Sequence, residues 1–283
     1  MAKIALVTDS TSDLPLDLAQ RHHITVVPQV LIWGDETFAD GVDIHPPDFY
    51  TRLKTATVMP STSQATVATF IKIFQELLDQ DYEILSILVS AKLSGTINSA
   101  MQAKAHLPVG APIEVVDSES VSMGLGLNVL HVARALEQGI QLPEATALAH
   151  QTIAHTGVVL TVETLEFLHR GGRIGSASRF MGTALNIKPI LEVRAGRVEA
   201  VERVRTRSKS LSRVVDLVEE QLGGRTPVHI AALHANAEAD AHTLLDDVCG
   251  RLKVDEKIFS IVGPVVGTHA GPGTVGMAYL AGL

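Results

Sequence analysis

Ile84-Leu85-Ser86-Ile87-Leu88-Val89 is a short apolar run that breaks into Ser90-Ala91-Lys92-Leu93-Ser94-Gly95-Thr96, after which the pattern turns helical. Strand, hydroxyl-bearing turn and helix in that order form the unit of an open α/β sheet, and such sheets collect ligands outside the carboxyl ends of their strands. The unit recurs upstream, where residues 4–8 run into Asp9-Ser10-Thr11-Ser12-Asp13 and Pro15 opens a helix to about residue 23. Residues 25–32 read as a second strand, Gly34-Asp35 as a hairpin turn, and Asp40-Gly41 as a turn before a helix starting near Pro46-Pro47. Ser61-Thr62-Ser63-Gln64 reads as a loop before an amphipathic helix over 65–79, with Val67, Phe70, Ile71, Phe74, Leu77 and Leu78 on one face. Downstream, a strand over 113–116 closes on Asp117-Ser118, and helices over 123–137 and 142–155 follow.

The pattern then restarts with a strand over 158–162. The expected architecture is therefore α/β in class: two α/β domains, 1–155 and 156–283, with mostly parallel sheets and a ligand cleft between them. The second half adds a helix to Arg170, the turn Gly171-Gly172, a helix to about Leu185 and a hairpin turning at Ala195-Gly196. Residues 210–222 (helix), 228–233 (strand), 237–252 (helix) and 258–262 (strand) complete it. Gly263-Pro264-Val265-Val266-Gly267-Thr268-His269-Ala270-Gly271-Pro272-Gly273 reads as a glycine-rich loop that exposes His269.

Composition bounds the function. Of the 283 residues 46% are hydrophobic but only 4% aromatic, so any pocket is aliphatic and suits an aliphatic ligand. No apolar stretch reaches the roughly 18 residues of a membrane span, and Met1-Ala2-Lys3 leads straight into a strand; the chain reads as soluble and cytoplasmic, not membrane-embedded. The single cysteine, Cys249, excludes an intrachain disulfide framework and reads as helix packing. A net charge of −8 argues against general nucleic-acid binding. The charge is uneven, however: residues 170–213 hold eleven basic and three acidic side chains, which makes this stretch a candidate docking surface for an acidic or phosphate-handling partner.

Neutral donors stand where a nucleophile or metal set would otherwise be sought. An N-cap accounts for one hydroxyl of Ser61-Thr62-Ser63, not for three. Ser94 lacks the first glycine of a nucleophile elbow, its place being Lys92, and no Asp and His follow in the order a hydrolase needs. There is no Walker loop and no dinucleotide fingerprint. None of the twelve histidines forms His-Glu-x-x-His, and His22-His23 reads as surface, so neither a metal nor a cofactor is expected. Asp9 and Asp13 look like a carboxylate pair but fit turns at a strand end as well. Hydroxyls, one imidazole and uncovered backbone N–H groups can hold a small anion without a buried cation.

In order along the chain, Val7-Thr8-Asp9-Ser10-Thr11-Ser12-Asp13-Leu14, Ser61-Thr62-Ser63-Gln64, Leu93-Ser94-Gly95-Thr96-Ile97-Asn98-Ser99-Ala100, Asp117-Ser118, residues 165–175 around Gly171-Gly172-Arg173 and the tail from Gly267 to Gly273 resemble the DegV family over its whole length. The resemblance implies a non-enzymatic carrier that holds a long-chain fatty acid between two domains. It would present the carboxylate to a separate ATP-dependent fatty acid kinase subunit, toward phospholipid synthesis. It places the carboxylate near Thr62, Ser94 and His269, with Ser63 and Gly95 adjacent, and partner contact at Arg170, Arg173 and Arg205. No catalytic residue is implied. Phe167 departs from the tyrosine expected there and removes a hydroxyl. The alternatives are a phosphotransferase-like enzyme, through a fold relation to dihydroxyacetone-kinase-type proteins, and a serine-dependent acyl-processing enzyme using Ser94.

Overall fold

Lys3–Asp9 (β1), Thr25–Val27 (β2), Tyr82–Leu88 (β6) and Ile113–Asp117 (β7) form a four-stranded sheet in the order β2-β1-β6-β7. The computed structural model describes residues 3–182 and 187–283. All three pairings of this sheet are parallel, as near-continuous apolar runs with both faces covered require. In β6 the two-residue period divides the work. Leu85 and Ile87 face the central core, whereas Ile84 and Leu88 pack on the other face under Val67–Leu78 (α3) and Thr96–His106 (α4), with Phe70, Phe74, Ala100 and Ala103.

A six-stranded sheet forms the second half. Its strands are Thr156–Thr161 (β8), Lys188–Arg194 (β9), Arg197–Val204 (β10), Val228–His234 (β11), Glu256–Ile261 (β12) and Val275–Ala281 (β13), ordered β10-β9-β8-β13-β11-β12. Arg207–Leu222 (α8) and Glu238–Arg251 (α9) cover its outer face, with Val214, Val218, Leu244 and Val248 against Ile230 and Ala232. Ala231 and Leu233, the alternate residues of β11, face the same central core as Leu85 and Ile87. Met123–Glu137 (α5) runs through that core and buries every residue from Met123 to Leu130, because it is sandwiched where most helices expose a face. Leu142–Ile153 (α6) leads from it to β8.

The α/β class holds, and the parallel expectation holds for the first sheet. The second sheet corrects it: among the described residues only β11 and β12 pair in parallel, and the other pairings are antiparallel. Ala195 and Gly196 both have positive φ, 47° and 76°, and so close a two-residue hairpin that forces β9 and β10 antiparallel. β13, which the sequence pattern did not reveal, enters between β8 and β11 antiparallel to both.

Residues 25–32 are two strands rather than one. Pro28 interrupts the ladder, and Val30–Trp33 (β3) leaves for a small antiparallel sheet with Glu36–Ala39 (β4) and Ser61–Ser63 (β5). The Ser61 to Gln64 segment is thus largely strand, and the cap of α3 is Thr66, which accepts from the Thr69 N–H at 3.1 Å. The glycine-rich tail contains a helix, Pro264–Ala270 (α10), with His269 in its last turn. Cys249 is exposed, since Leu244 and Val248 take the inward positions of α9 and the next residue turns away. Leu185, the expected end of the helix after Gly171-Gly172, lies outside the described residues; a 3-10 turn, Gly175–Phe180, occupies part of that stretch.

Candidate functional site

The first sheet reverses its strand order between β1 and β6, and the loops leaving their carboxyl ends frame a cavity. Its interior has a water-accessible volume of about 120 Å³. Its wall is aliphatic and draws on the second sheet and on the loops that leave the first: Val89, Leu93, Val121, Val158, Leu160, Leu168, Val193, Val198, Leu233, Val262, Val265 and Val266. Polar residues gather at Thr11, Gln29, Thr62, Ser63, Gln64, Ser94, Ser122, Arg173, His269 and Thr274. Thr62, Arg173 and His269 also line an adjoining outer cavity with Met59, Pro60, Ser61, Phe167, Arg170, Gly171 and Thr268. These three side chains stand between an aliphatic interior and a polar vestibule.

Each is held by its element. β5 presents Thr62 opposite Leu31 of β3. Its Oγ1 lies 2.7 Å from His269 Nε2, across 207 residues of sequence. α10 is anchored at its start, where the Gly263 N–H donates to Asp13 Oδ1 at 2.8 Å, Ser260 Oγ donates to the Asp13 carbonyl at 2.5 Å and Tyr50 OH donates to the Val262 carbonyl at 2.9 Å. The helix stops at Gly271, whose φ of 79° and close approach to the Phe167 ring both exclude a side chain. Burial, and secondarily the charge of Arg173, push the His269 pKa down to about 4, so the imidazole is neutral at pH 7. Gly171, at the end of Glu166–Arg170 (α7), packs so closely that a Cβ there would stand 2.0 Å from His269 Nδ1.

Ser94 follows β6 and precedes α4, and its Oγ lies 2.8 Å from Thr96 Oγ1. No histidine or carboxylate bonds to Ser94 among the described residues, and His269 is engaged by Thr62 instead. Gly95 faces Gln64, whose side chain would be 3.2 Å from a Cβ at that position. Arg173 Nε donates to the Leu93 carbonyl at 3.0 Å and Nη1 to the Gly171 carbonyl at 2.6 Å, tying the Ser94 loop to the vestibule. The head-group region therefore does include a cation, contrary to the expectation of a site without one. Arg170 is exposed in the vestibule and pairs with Glu166. Arg205 is exposed in the turn between β10 and α8 and lines neither cavity.

Asp9 accepts from Thr11 N, Thr11 Oγ1 and Val89 N at 3.0, 2.5 and 2.8 Å, so its carboxylate organises the turn after β1. Among the described residues no group of three or more His, Cys, Asp or Glu is placed to hold a metal. Gln29 escaped the sequence reading. It is 1% exposed, between two strands that the pattern fused, and its one distinguishing signal was a polar side chain inside an apolar run.

The profile of the family described as "uncharacterised protein, DegV family" matches residues 3–282. The chain belongs to the DegV family. A DegV domain-containing protein of Streptomyces coelicolor is 36% identical over 97% of this chain and 97% of its own length. A solved DegV family protein from Thermus thermophilus, described by its fatty acid binding, superposes with a TM-score of 0.93 at 35% identity, covering 99% of both chains. DegV from Bacillus subtilis, described as a fatty acid binding protein, gives 0.89 at 29% identity over 99% of this chain and all of that one. No helix among the described residues is long and apolar enough to cross a membrane.

Proposed function

We propose that this DegV protein binds a long-chain fatty acid, with the tail along the valine-rich wall and the carboxylate among Thr62, Ser94 and His269, next to Ser63, Gly95 and Arg173. The observation that carries the reading is the aliphatic cavity that ends at three polar side chains shared with an outer vestibule. The fatty acid binding described for the Thermus and Bacillus proteins supports it. Each methylene taken from water contributes about 0.8 kcal/mol, so an acyl tail supplies the affinity while the polar end supplies orientation. With the proton on Nε2, His269 donates to Thr62 Oγ1 and the Thr62 proton is left for the carboxylate; with the proton on Nδ1 the roles at Thr62 reverse.

In this reading the protein is a cytoplasmic carrier of two domains, 1–155 and 156–283, and not an enzyme. The vestibule gives a separate ATP-dependent kinase subunit access to the carboxylate for acyl-phosphate formation and phospholipid synthesis. Arg170 serves docking, Arg205 extends the basic surface, and Arg173 acts at both docking and head group. Extraction of the purified protein followed by lipid analysis tests the core of this reading. A stoichiometric long-chain fatty acid, or saturable uptake of one by delipidated protein, is expected. Neither being found would overturn it.

A further inference from the structure

The side-chain amide of Gln29 is oriented by a partner that can only donate. The Ala65 N–H donates to Gln29 Oε1 at 2.7 Å, which leaves Nε2 facing Thr96 Oγ1 at 2.8 Å as a donor. Thr96 is fully buried, and its hydroxyl now accepts from Gln29. Its own proton needs an acceptor, because an unsatisfied buried donor is costly. Ser94 Oγ, 2.8 Å away, is its other partner among the described residues. With Thr96 donating to it, Ser94 keeps its own proton free, and Ser94 lines the cavity.

We infer that Gln29 and Thr96 are positioning residues that make Ser94 a hydrogen-bond donor into the cavity, so that the site selects a head group that accepts, an anionic carboxylate, over an alcohol. The inference rests on the fatty-acid reading above and adds a direction to it. Thr96 does not line the cavity and acts through Ser94, whereas Gln29 also lines the cavity itself, and the part of its effect that the relay carries is the part lost with Ser94. The relay also links the segment between β2 and β3, the segment after β5 and the start of α4, so the Ser94 donor is set only when all three are assembled.

The test is a double-mutant cycle, which isolates an effect transmitted through Ser94 from one on packing. Binding of hexadecanoic acid and hexadecan-1-ol is measured by calorimetry for wild type, Thr96→Val, Thr96→Ser and Ser94→Ala, and for Thr96→Val combined with Ser94→Ala. Thr96→Val is expected to weaken the acid about tenfold and the alcohol less than about twofold, with Thr96→Ser near wild type. On the Ser94→Ala background, Thr96→Val should cost less than about twofold. Gln29→Met is the second variant: it removes the amide that fixes the Thr96 proton without adding charge, and should weaken the acid more with Ser94 present than with Ala there. Equal losses in the two backgrounds, or equal losses for acid and alcohol, overturn the relay alone. A wild type that binds neither ligand overturns the fatty-acid reading, and the relay falls with it.

Discussion

At the scale of single residues, the site depends on what is absent as much as on what is present. Gly171 has ordinary helical backbone angles, so its value lies in the missing Cβ, which leaves room for the His269 ring. Gly171→Ala is expected to displace the imidazole from Thr62 and weaken fatty-acid binding by about 1 kcal/mol or more. Titration calorimetry against delipidated protein would show it, and unchanged affinity would remove Gly171 from the site. A second residue effect concerns pH. Burial pushes the Asp13 carboxyl up to about 8 and that of Asp40 up to about 6 from an ordinary 3.8, each aided by neighbouring aspartate charge. A group with a raised folded-state pKa binds more protons folded than unfolded, so its stabilisation is complete below about pH 3.8 and is lost as pH rises through the folded value. The folded protein should lose stability between pH 5.5 and 8.5 on this account. Asp13→Asn should flatten that decline, as read by thermal unfolding at the two pH values; an equally steep decline would assign it elsewhere.

At the scale of elements, α5 backs the cavity wall through Val158. A Cβ on Gly124 would stand 2.2 Å from Ser120 Oγ and 2.5 Å from Val158 Cγ2, and Val158 is part of the cavity wall. Gly124→Ala should drive Val158 inward and shift the bound fatty acids toward shorter chains, measurable by lipid analysis of the purified variant. An unchanged chain-length distribution would mean that α5 gives way instead. The elements also divide into those the sequence displayed and those it concealed. α3 has strong periodicity because it packs one face on the core, and β1, β6 and α5 stand out as near-continuous apolar runs because they are covered on both sides. β5 has only three residues, all hydroxylic, and is a strand because β3 offers it an edge. α10 is dense in residues that disfavour helix, and tertiary anchors at Asp13 and Tyr50 hold it nonetheless.

At the scale of the whole molecule, the cavity wall joins strands of the second sheet to loops that leave the first, so a bound chain bridges the two halves. Ligand at about a hundredfold over its dissociation constant stabilises by about 2.7 kcal/mol. That should raise the unfolding midpoint of delipidated protein by about 4–5 °C on reloading, which calorimetry can check. The exposed vestibule carries a different expectation. Arg170→Ala should slow partner-dependent phosphorylation of the bound acid and flatten its salt dependence, since rim charges act mainly on association. A rate equal to wild type across salt concentrations would place docking away from Arg170.

The sequence alone determined the α/β class, the strand-end position of the hydroxyl turns, the aliphatic character of any pocket and the family, because each is written in local pattern or in ordered motifs. Thr62, Ser94 and His269 were singled out by the family resemblance, and all three line the cavity although one lies in a strand, one in a turn and one in a helix. Only the tertiary structure decided that the second sheet is largely antiparallel, that Arg173 reaches the cavity, and that Gln29 orients Thr96. Strand direction, a guanidinium's reach and an amide's orientation depend on partners tens to hundreds of residues away, and nothing in the local sequence encodes which partner will arrive.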